Sequence, residues 1–374
     1  MPRTSLAAFA ACLAVGLSIT SCSSSGTTAT APGSASSGSS TSAVAPAATS
    51  NAAQSSPAGS SMATSSAAQS GSSSSAPAPS AGGKGGLMTI IVNDPSNPYW
   101  LTEGNVAQAE AKALGYTATV GASKGDTNTE SNLIDTAIAN KSVAIILDPA
   151  NASGSIGAVK KAIAANIPVF LVNAEINQEG LAKAQLVSNN AQGAALGAQQ
   201  WVKDVGQTGN YVELFGAPSD NNAATRSNGY KTVLSQYPGL KEVDKQVANW
   251  DRTQGFNKMQ TMLRAHPDII GVIAGNDEMA LGAIAALKQA GKLSSVKVGG
   301  FDGSPDAVAA IKSGELQYTV LQPVATFAKK AVDEADSFLR TGKTGAAAEK
   351  QAFDCLLITK ANIAKYTGPF TLSQ

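Results

Sequence analysis

One histidine and three cysteines are all that the 374 residues contain of the side chains most used to hold transition metals. His266 sits in the helix-ending turn pattern Ala265-His266-Pro267-Asp268, far along the chain from Cys355. That separation argues against a zinc site and against a Cys/His nucleophile pair, so no catalytic group, metal or cofactor is expected. With Cys12 and Cys22 in the N-terminal leader, Cys355 has no partner for an intrachain disulfide in the mature protein. An excess of one charge is also lacking: 27 Lys and Arg face 26 Asp and Glu, which leaves no basic stripe for a nucleic acid. Long apolar runs are missing too. The stretch from Leu6 to Leu17 is shorter than the roughly 20 residues that span a bilayer, and nothing after it is longer.

Residues 1–22 read as a lipoprotein signal peptide, with Arg3 before the apolar stretch and Ile19-Thr20-Ser21-Cys22 at its end. Cleavage before Cys22 would leave a thiol to carry lipid, anchoring an extracytoplasmic protein to the outer face of the cell membrane. Residues 23–86 are nearly all Ser, Ala, Gly, Pro and Thr without an aromatic residue. Such a segment cannot bury enough apolar surface to offset its ordering entropy, and it is expected to be a disordered tether with a reach on the order of 45 Å.

From residue 87 onward, short apolar runs alternate with amphipathic ones. Strands are expected at 88–92, 117–121, 143–147, 169–172, 185–188, 210–214, 242–248, 271–274, 297–301 and 318–321, and helices fill the intervals. This alternation is the mark of an α/β protein with parallel sheets. Ten strands are too many for one comfortable sheet, so two similar doubly wound lobes are expected with a ligand cleft between the carboxyl ends of their strands. The segment Asn97-Pro98-Tyr99-Trp100 follows the first strand and opens a helix expected near Leu101. An amide beside two aromatics suits a solute with hydroxyls on its rim and C–H groups on its faces.

Several further runs carry a resemblance: Ala165-Asn166-Ile167-Pro168-Val169, Trp250-Asp251-Arg252, Asn276-Asp277-Glu278-Met279-Ala280-Leu281-Gly282, and Val298-Gly299-Gly300-Phe301-Asp302-Gly303-Ser304-Pro305-Asp306. Together with Asn97-Pro98-Tyr99-Trp100 they resemble, in order over about residues 87–360, the ribose-binding family of periplasmic binding proteins. The resemblance implies a type I binding protein with a three-segment hinge, in which residues 87–188 plus 323–353 form the first lobe and 189–322 plus 354–374 the second. It implies a monomer that delivers a sugar-like solute to an ABC permease, with some features similar to the sugar-alcohol-binding subset. Crossings between lobes are expected near 188–189, 322–323 and 353–355.

Carried over by motif, Asn97, Tyr99 and Trp100 would wall the first lobe and Trp250 the second. Arg226 would donate to ligand oxygens through its five N–H groups. Asn276, Asp302 and Gln322 would bind the same hydroxyls, with Arg226 compensating a buried Asp302. Asn222 is a further expected contact. Asn276 and Asp277 are also good helix caps, a role that needs no ligand.

Two positions depart from the ribose pattern. Asp148, in Ile146-Leu147-Asp148-Pro149-Ala150, stands where that pattern has an amide, and Asn173-Ala174-Glu175 replaces its Asp-Arg pair. The ring oxygen of ribose loses a donor at Ala174, whereas an acyclic polyol of four or five carbons offers only hydroxyls to Asp148, Asn173 and Asp302. The expected function is therefore capture of a sugar or sugar alcohol by hinge closure, for an importer or for a sensor kinase or chemoreceptor. A transcriptional repressor would need a DNA-binding segment where the leader and tether stand. A glycoside hydrolase would need two carboxylates flanking a scissile bond, a role Asp148 and Asp302 need not play.

Overall fold

The computed structural model describes residues 85–373. The signal peptide, Cys22 and the expected tether up to residue 84 lie outside the described residues. The last two tether residues are already part of the fold, because Gly85 N–H donates to Gly115 O and Gly86 O accepts from Thr117 N.

The first sheet is built from β1 (Leu87–Val92), β2 (Thr117–Ala122), β3 (Ala144–Leu147), β4 (Val169–Val172) and β5 (Ala184–Ser188). Between them run α1 (Pro98–Ala113), α2 (Thr127–Ala139) and α3 (Ile156–Ala164). After α4 (Asn190–Val205) the second sheet takes β6 (Thr208–Phe215), β7 (Gly239–Val247), β8 (Gly271–Ala274), β9 (Lys297–Gly299) and β10 (Tyr318–Leu321). Its helices are α5 (Asn221–Leu234), α6 (Arg252–Ala265), α7 (Asp277–Gln289) and α8 (Pro305–Ser313). The chain then forms α9 (Val324–Thr341), β11 (Lys350–Phe353), β12 (Leu356–Thr359), a 3₁₀ turn at Ile363–Lys365, and a hairpin of β13 (Tyr366–Gly368) and β14 (Thr371–Leu372). Among the described residues no helix is long and apolar enough to cross a membrane.

The two six-stranded sheets repeat one strand order, β11-β5-β4-β3-β1-β2 and β12-β10-β9-β8-β6-β7. The first is parallel throughout, while β12 pairs antiparallel with β10 at the edge of the second. The chain changes sheets after β5, after β10 and between β11 and β12, so each sheet receives its sixth strand from the last crossing. Helix α9 follows the second of these but packs on α1, β4 and β5 of the first sheet.

Both sheets are covered by helices, so their central strands are buried on two faces and read as continuous apolar runs. The β3 residues Ala144 to Leu147 and the β8 residues Val272 and Ile273 are wholly buried. Where α6 crosses α7 the backbones nearly touch: a Cβ on Gly282 would lie 2.1 Å from Arg252 O, and one on Gly255 would lie 2.7 Å from Met279 O. That approach seats α6 and α7 together behind the cleft.

Four strands beyond the ten expected are present. β11 to β14 are short and half-exposed, and they are recognisable as strands through the partners they pair with. Helix α1 begins three residues earlier than expected. Pro98 occupies its first turn, where the missing N–H costs nothing, and Asn97 Oδ1 caps Tyr99 N–H at 2.9 Å. Tyr99 and Trp100 therefore project from a helix start and not from a loop.

Candidate ligand-binding site

In a sheet ordered 2-1-3 the loops after strands 1 and 3 diverge, and the crevice between them is where ligands bind. Asn97, Tyr99 and Trp100 follow β1, Asp148 follows β3 and Asn173 follows β4. The second sheet repeats the arrangement: Asn222 and Arg226 follow β6, Trp250 follows β7, Asn276 follows β8, Asp302 follows β9 and Gln322 follows β10. Ten of these side chains line one inner cavity of about 20 Å³, and Asp148 lines the outer cleft of about 680 Å³ that continues from it. Twenty cubic ångströms is room for about one water. A sugar therefore needs the layers to part before it can enter.

The layers touch across the cleft. Ala152 N–H donates to Ser219 O at 2.9 Å, Asn221 Nδ2 to Asn177 Oδ1 at 2.7 Å, and Asn222 Nδ2 to Asn173 O at 3.2 Å. This is a closed form.

Arg226, 4 % exposed, is held on every side. Its Nε donates to Asn190 Oδ1 at 2.7 Å, and Nη1 donates to Gly275 O at 2.8 Å and lies 3.5 Å from Asp302 Oδ1. Its guanidinium lies over Phe301 at 4.0 Å and Trp250 at 5.1 Å from the ring centroids. Asp302 also accepts from Gln322 Nε2 at 2.7 Å. Burial nevertheless pushes its carboxyl up to about 7, against the opposing pull of Arg226 and Gln322. Behind it Asp277 accepts from Ser304 N and Thr319 Oγ1, both at 2.7 Å, and fixes the turn that carries Asp302.

On the first layer, Asp148 Oδ2 accepts from Asn173 Nδ2 at 3.0 Å, and Tyr99 O–H donates to Asn173 Oδ1 at 3.0 Å. Burial raises the Asp148 carboxyl well above the ordinary range. Glu103, one turn along α1 from Trp100 and wholly buried, is raised by its own burial and then by Asp148. Burial pushes both carboxyls toward the neutral form, and the Asp148 charge adds to this at Glu103. A carboxyl accepts hydrogen bonds when ionised and can donate one when neutral.

Gln322 Oε1 is buried in these walls without a partner among the described residues, and Trp100 Nε1 and Asp148 Oδ1 make no well-formed hydrogen bond there, although the indole pulls on the Asp148 carboxyl. A native interior leaves few such atoms, and here they sit where a hydroxyl-rich ligand would meet them. Backbone strain gathers in the same place. Of the eight non-glycine residues with positive φ among the described residues, Asn173, Trp250 and Asp302 belong to the expected site, and Lys124 and Asn249 line the outer cleft. Such conformations cost about 1–3 kcal/mol each and tend to cluster at ligand sites. Gly216 makes room for one of them, because a Cβ there would lie 2.0 Å from the Trp250 ring.

Asn276 caps Met279 N–H at 2.9 Å, the helix role expected of it, and also lines the inner cavity. Sequence reasoning missed Asp220, which caps α5 and lines both spaces, and Asn190, which holds Arg226. Asp220 carries a signal, an acid directly before a helical run. Glu103 was missed as well, since nothing in the sequence reveals that it is wholly buried.

Two matched sheets closing over a polar cleft walled by tryptophans define a solute receptor. The chain belongs to the periplasmic binding protein domain family, which residues 88–344 match. It is 52 % identical over 279 residues to the D-apiose import binding protein of Paraburkholderia graminis, spanning 75 % of this chain and 89 % of the relative. It is 33 % identical over 274 residues to the ribose import binding protein of Escherichia coli, spanning 73 % and 90 %. Among solved structures, an ABC transporter solute-binding protein from Bacillus halodurans with bound myo-inositol superposes with a TM-score of 0.70 at 26 % identity, over 76 % of this chain and 97 % of the other. The chain is accordingly a binding protein of the periplasmic type, and the relatives it resembles are import binding proteins and not enzymes.

Proposed function

We propose that the chain captures a compact five-carbon polyhydroxy solute, D-apiose foremost, by closing two lobes around it, and presents the closed form to its permease. The observation that carries this reading is the small inner cavity between the two sheets, walled by polar and aromatic side chains with Gln322 Oε1 buried and unpartnered among the described residues, which opens onto the outer cleft that Asp148 lines. The relatives named for D-apiose import, at 52 % and 47 % identity, support the same choice.

D-Apiose is a branched pentose whose hydroxyl positions close only five-membered rings, so it presents a ring oxygen that accepts a hydrogen bond. Ala174 leaves no arginine for that oxygen, but Asp148, whose carboxyl burial pushes toward the neutral form, could donate in the same region. A four- or five-carbon sugar alcohol is the second reading, favoured by the absence of a cation at position 174 and by the glycerol-bound structural neighbour from Mycobacterium smegmatis. Calorimetry with D-apiose, D-ribose, xylitol and erythritol tests both readings. D-Apiose is expected to bind most tightly, and Asp148→Ala to weaken it about tenfold or more, the cost of a lost buried hydrogen bond. Tight ribose binding with no response to apiose or the polyols would sink the assignment and leave the family intact.

The lobes would be residues 87–188 with 323–353 and residues 189–322 with 354–374, rotating about the three crossings as ligand shifts the population toward the closed form. The mature protein would work as a monomer, which light scattering checks, tethered by lipid on Cys22. Cys22→Ser should release it from membranes or leave the precursor uncleaved. Membrane-bound variant of mature size would remove the anchor from the proposal.

A further inference from the structure

The C-terminal hairpin, which no sequence motif singled out, reaches the ligand site from behind. It springs from β12, the edge strand of the second sheet, and is fastened to that layer by Tyr366, whose O–H donates to Gly303 O at 3.1 Å. The Tyr366 hydroxyl oxygen itself accepts from Phe370 N–H at 3.0 Å, in a turn where Phe370 has a φ of 55°, a left-handed conformation rare outside glycine. What this strained turn delivers is the Phe370 ring. It is 2 % exposed and stands edge-on to Tyr99, with centroids 5.4 Å apart and planes at 90°. Tyr99 belongs to the other layer: it projects from α1, lines the inner cavity and donates to Asn173.

A residue rooted on the second layer thus braces a cavity wall of the first. Separation of the layers must break this contact or drag the hairpin away from Gly303, so the contact belongs to the closed form. We propose that Phe370 is a positioning residue of the ligand site, which holds the Tyr99 ring in place and slows solute release by fastening the closed lobes through the C-terminal hairpin. This rests on the reading of the cleft as the solute site that closes on its ligand.

Edge-to-face aromatic pairs stabilise beyond the area they bury, so losing the ring and its packing should accelerate release about tenfold. The test follows D-apiose dissociation by stopped-flow tryptophan fluorescence in the wild type, Phe370→Ala and Phe370→Tyr, and repeats Phe370→Ala in a Tyr99→Ala background. Phe370→Ala is expected to release D-apiose about tenfold faster, Phe370→Tyr within about twofold of the wild type, and the alanine change to add nothing once Tyr99 is gone. If Phe370→Ala does not fold, Phe370→Leu, apolar but without a ring, takes its place.

A second arm needs no sugar: spin labels on Asn105→Cys of α1 and Asn257→Cys of α6, both exposed, report the separation of the layers. Phe370→Ala should shift that distribution to longer distances. Failure of the wild type to bind D-apiose at all would count against the sugar reading, and the label distances would then decide the inference alone. Unchanged label distances together with unchanged release, or with release accelerated equally in both Tyr99 backgrounds, would overturn it.

Discussion

Replacing Arg226 by alanine is expected to weaken solute binding by about 30-fold to several thousand-fold, the consequence of a 2–5 kcal/mol loss when one partner of a buried charged pair is truncated. The side chain donates to Asn190 and Gly275 O, lies 3.5 Å from Asp302 and spans the Phe301 and Trp250 rings. Its removal orphans an acceptor on each side and leaves Asp302, 4 % exposed, without a cation. Lysine should not rescue it, since an ammonium cannot reproduce the planar fork that meets these partners at once. Calorimetry on Arg226→Ala and Arg226→Lys reads both effects. Alanine affinity within threefold of the wild type would show that the arginine merely fills space.

Solute affinity should also rise between pH 5 and pH 7 and level off above. Asp302, whose carboxyl is pushed up to about 7 by burial, faces Arg226, Gln322, Asp277 and Glu278. Ligand hydroxyls donate to the ionised form, so binding below pH 7 must expel a proton. At pH 5 only about one Asp302 in a hundred is ionised, and the loss of affinity should approach 100-fold. Calorimetry in buffers of different ionisation enthalpy would register that proton, and Asp302→Asn should flatten the profile at its weak end. An affinity that is constant from pH 5 to pH 8 would rule out Asp302 as a hydroxyl acceptor. In the ligand-free protein the linkage has the opposite sign. The folded state holds this proton more tightly than the unfolded chain, whose carboxyl titrates near 3.9, so the contribution of Asp302 to stability is complete below about pH 4 and is lost as pH rises to about 7.

The α/β architecture was legible because central parallel strands such as β3 and β8 are buried on both faces and therefore spell continuous apolar runs. β11 and β12, Lys-Gln-Ala-Phe and Leu-Leu-Ile-Thr, have no such pattern, since an edge strand is defined by its hydrogen-bonded neighbour more than by its own residues. The site was legible to the extent that its side chains follow strands in recognisable motifs, as Asn97, Arg226 and Asp302 do. Glu103, Asn190 and Phe370 were not, because each reaches the cavity by way of another residue. Asp148 acts on Glu103, Asn190 holds Arg226 and Phe370 meets Tyr99. The upward shift of the Asp148 carboxyl was equally hidden, being set by burial and not by composition.

The exchange of sixth strands between sheets has a consequence for the order in which the molecule can assemble. A chain emerging N-terminus first has β1 to β5 in hand by residue 188, yet α9, whose Phe338 meets Phe170 at 6.1 Å, arrives only after β10. Until then the first sheet has an uncovered apolar face and an unpaired edge at β5 that β11 will later close. Contacts between residues so distant in sequence are slow to form, and an open face and edge invite association in the interval. A fragment that ends before α9 should therefore be prone to aggregate. Maturation cannot proceed one lobe at a time: the second half must be present before the first is finished.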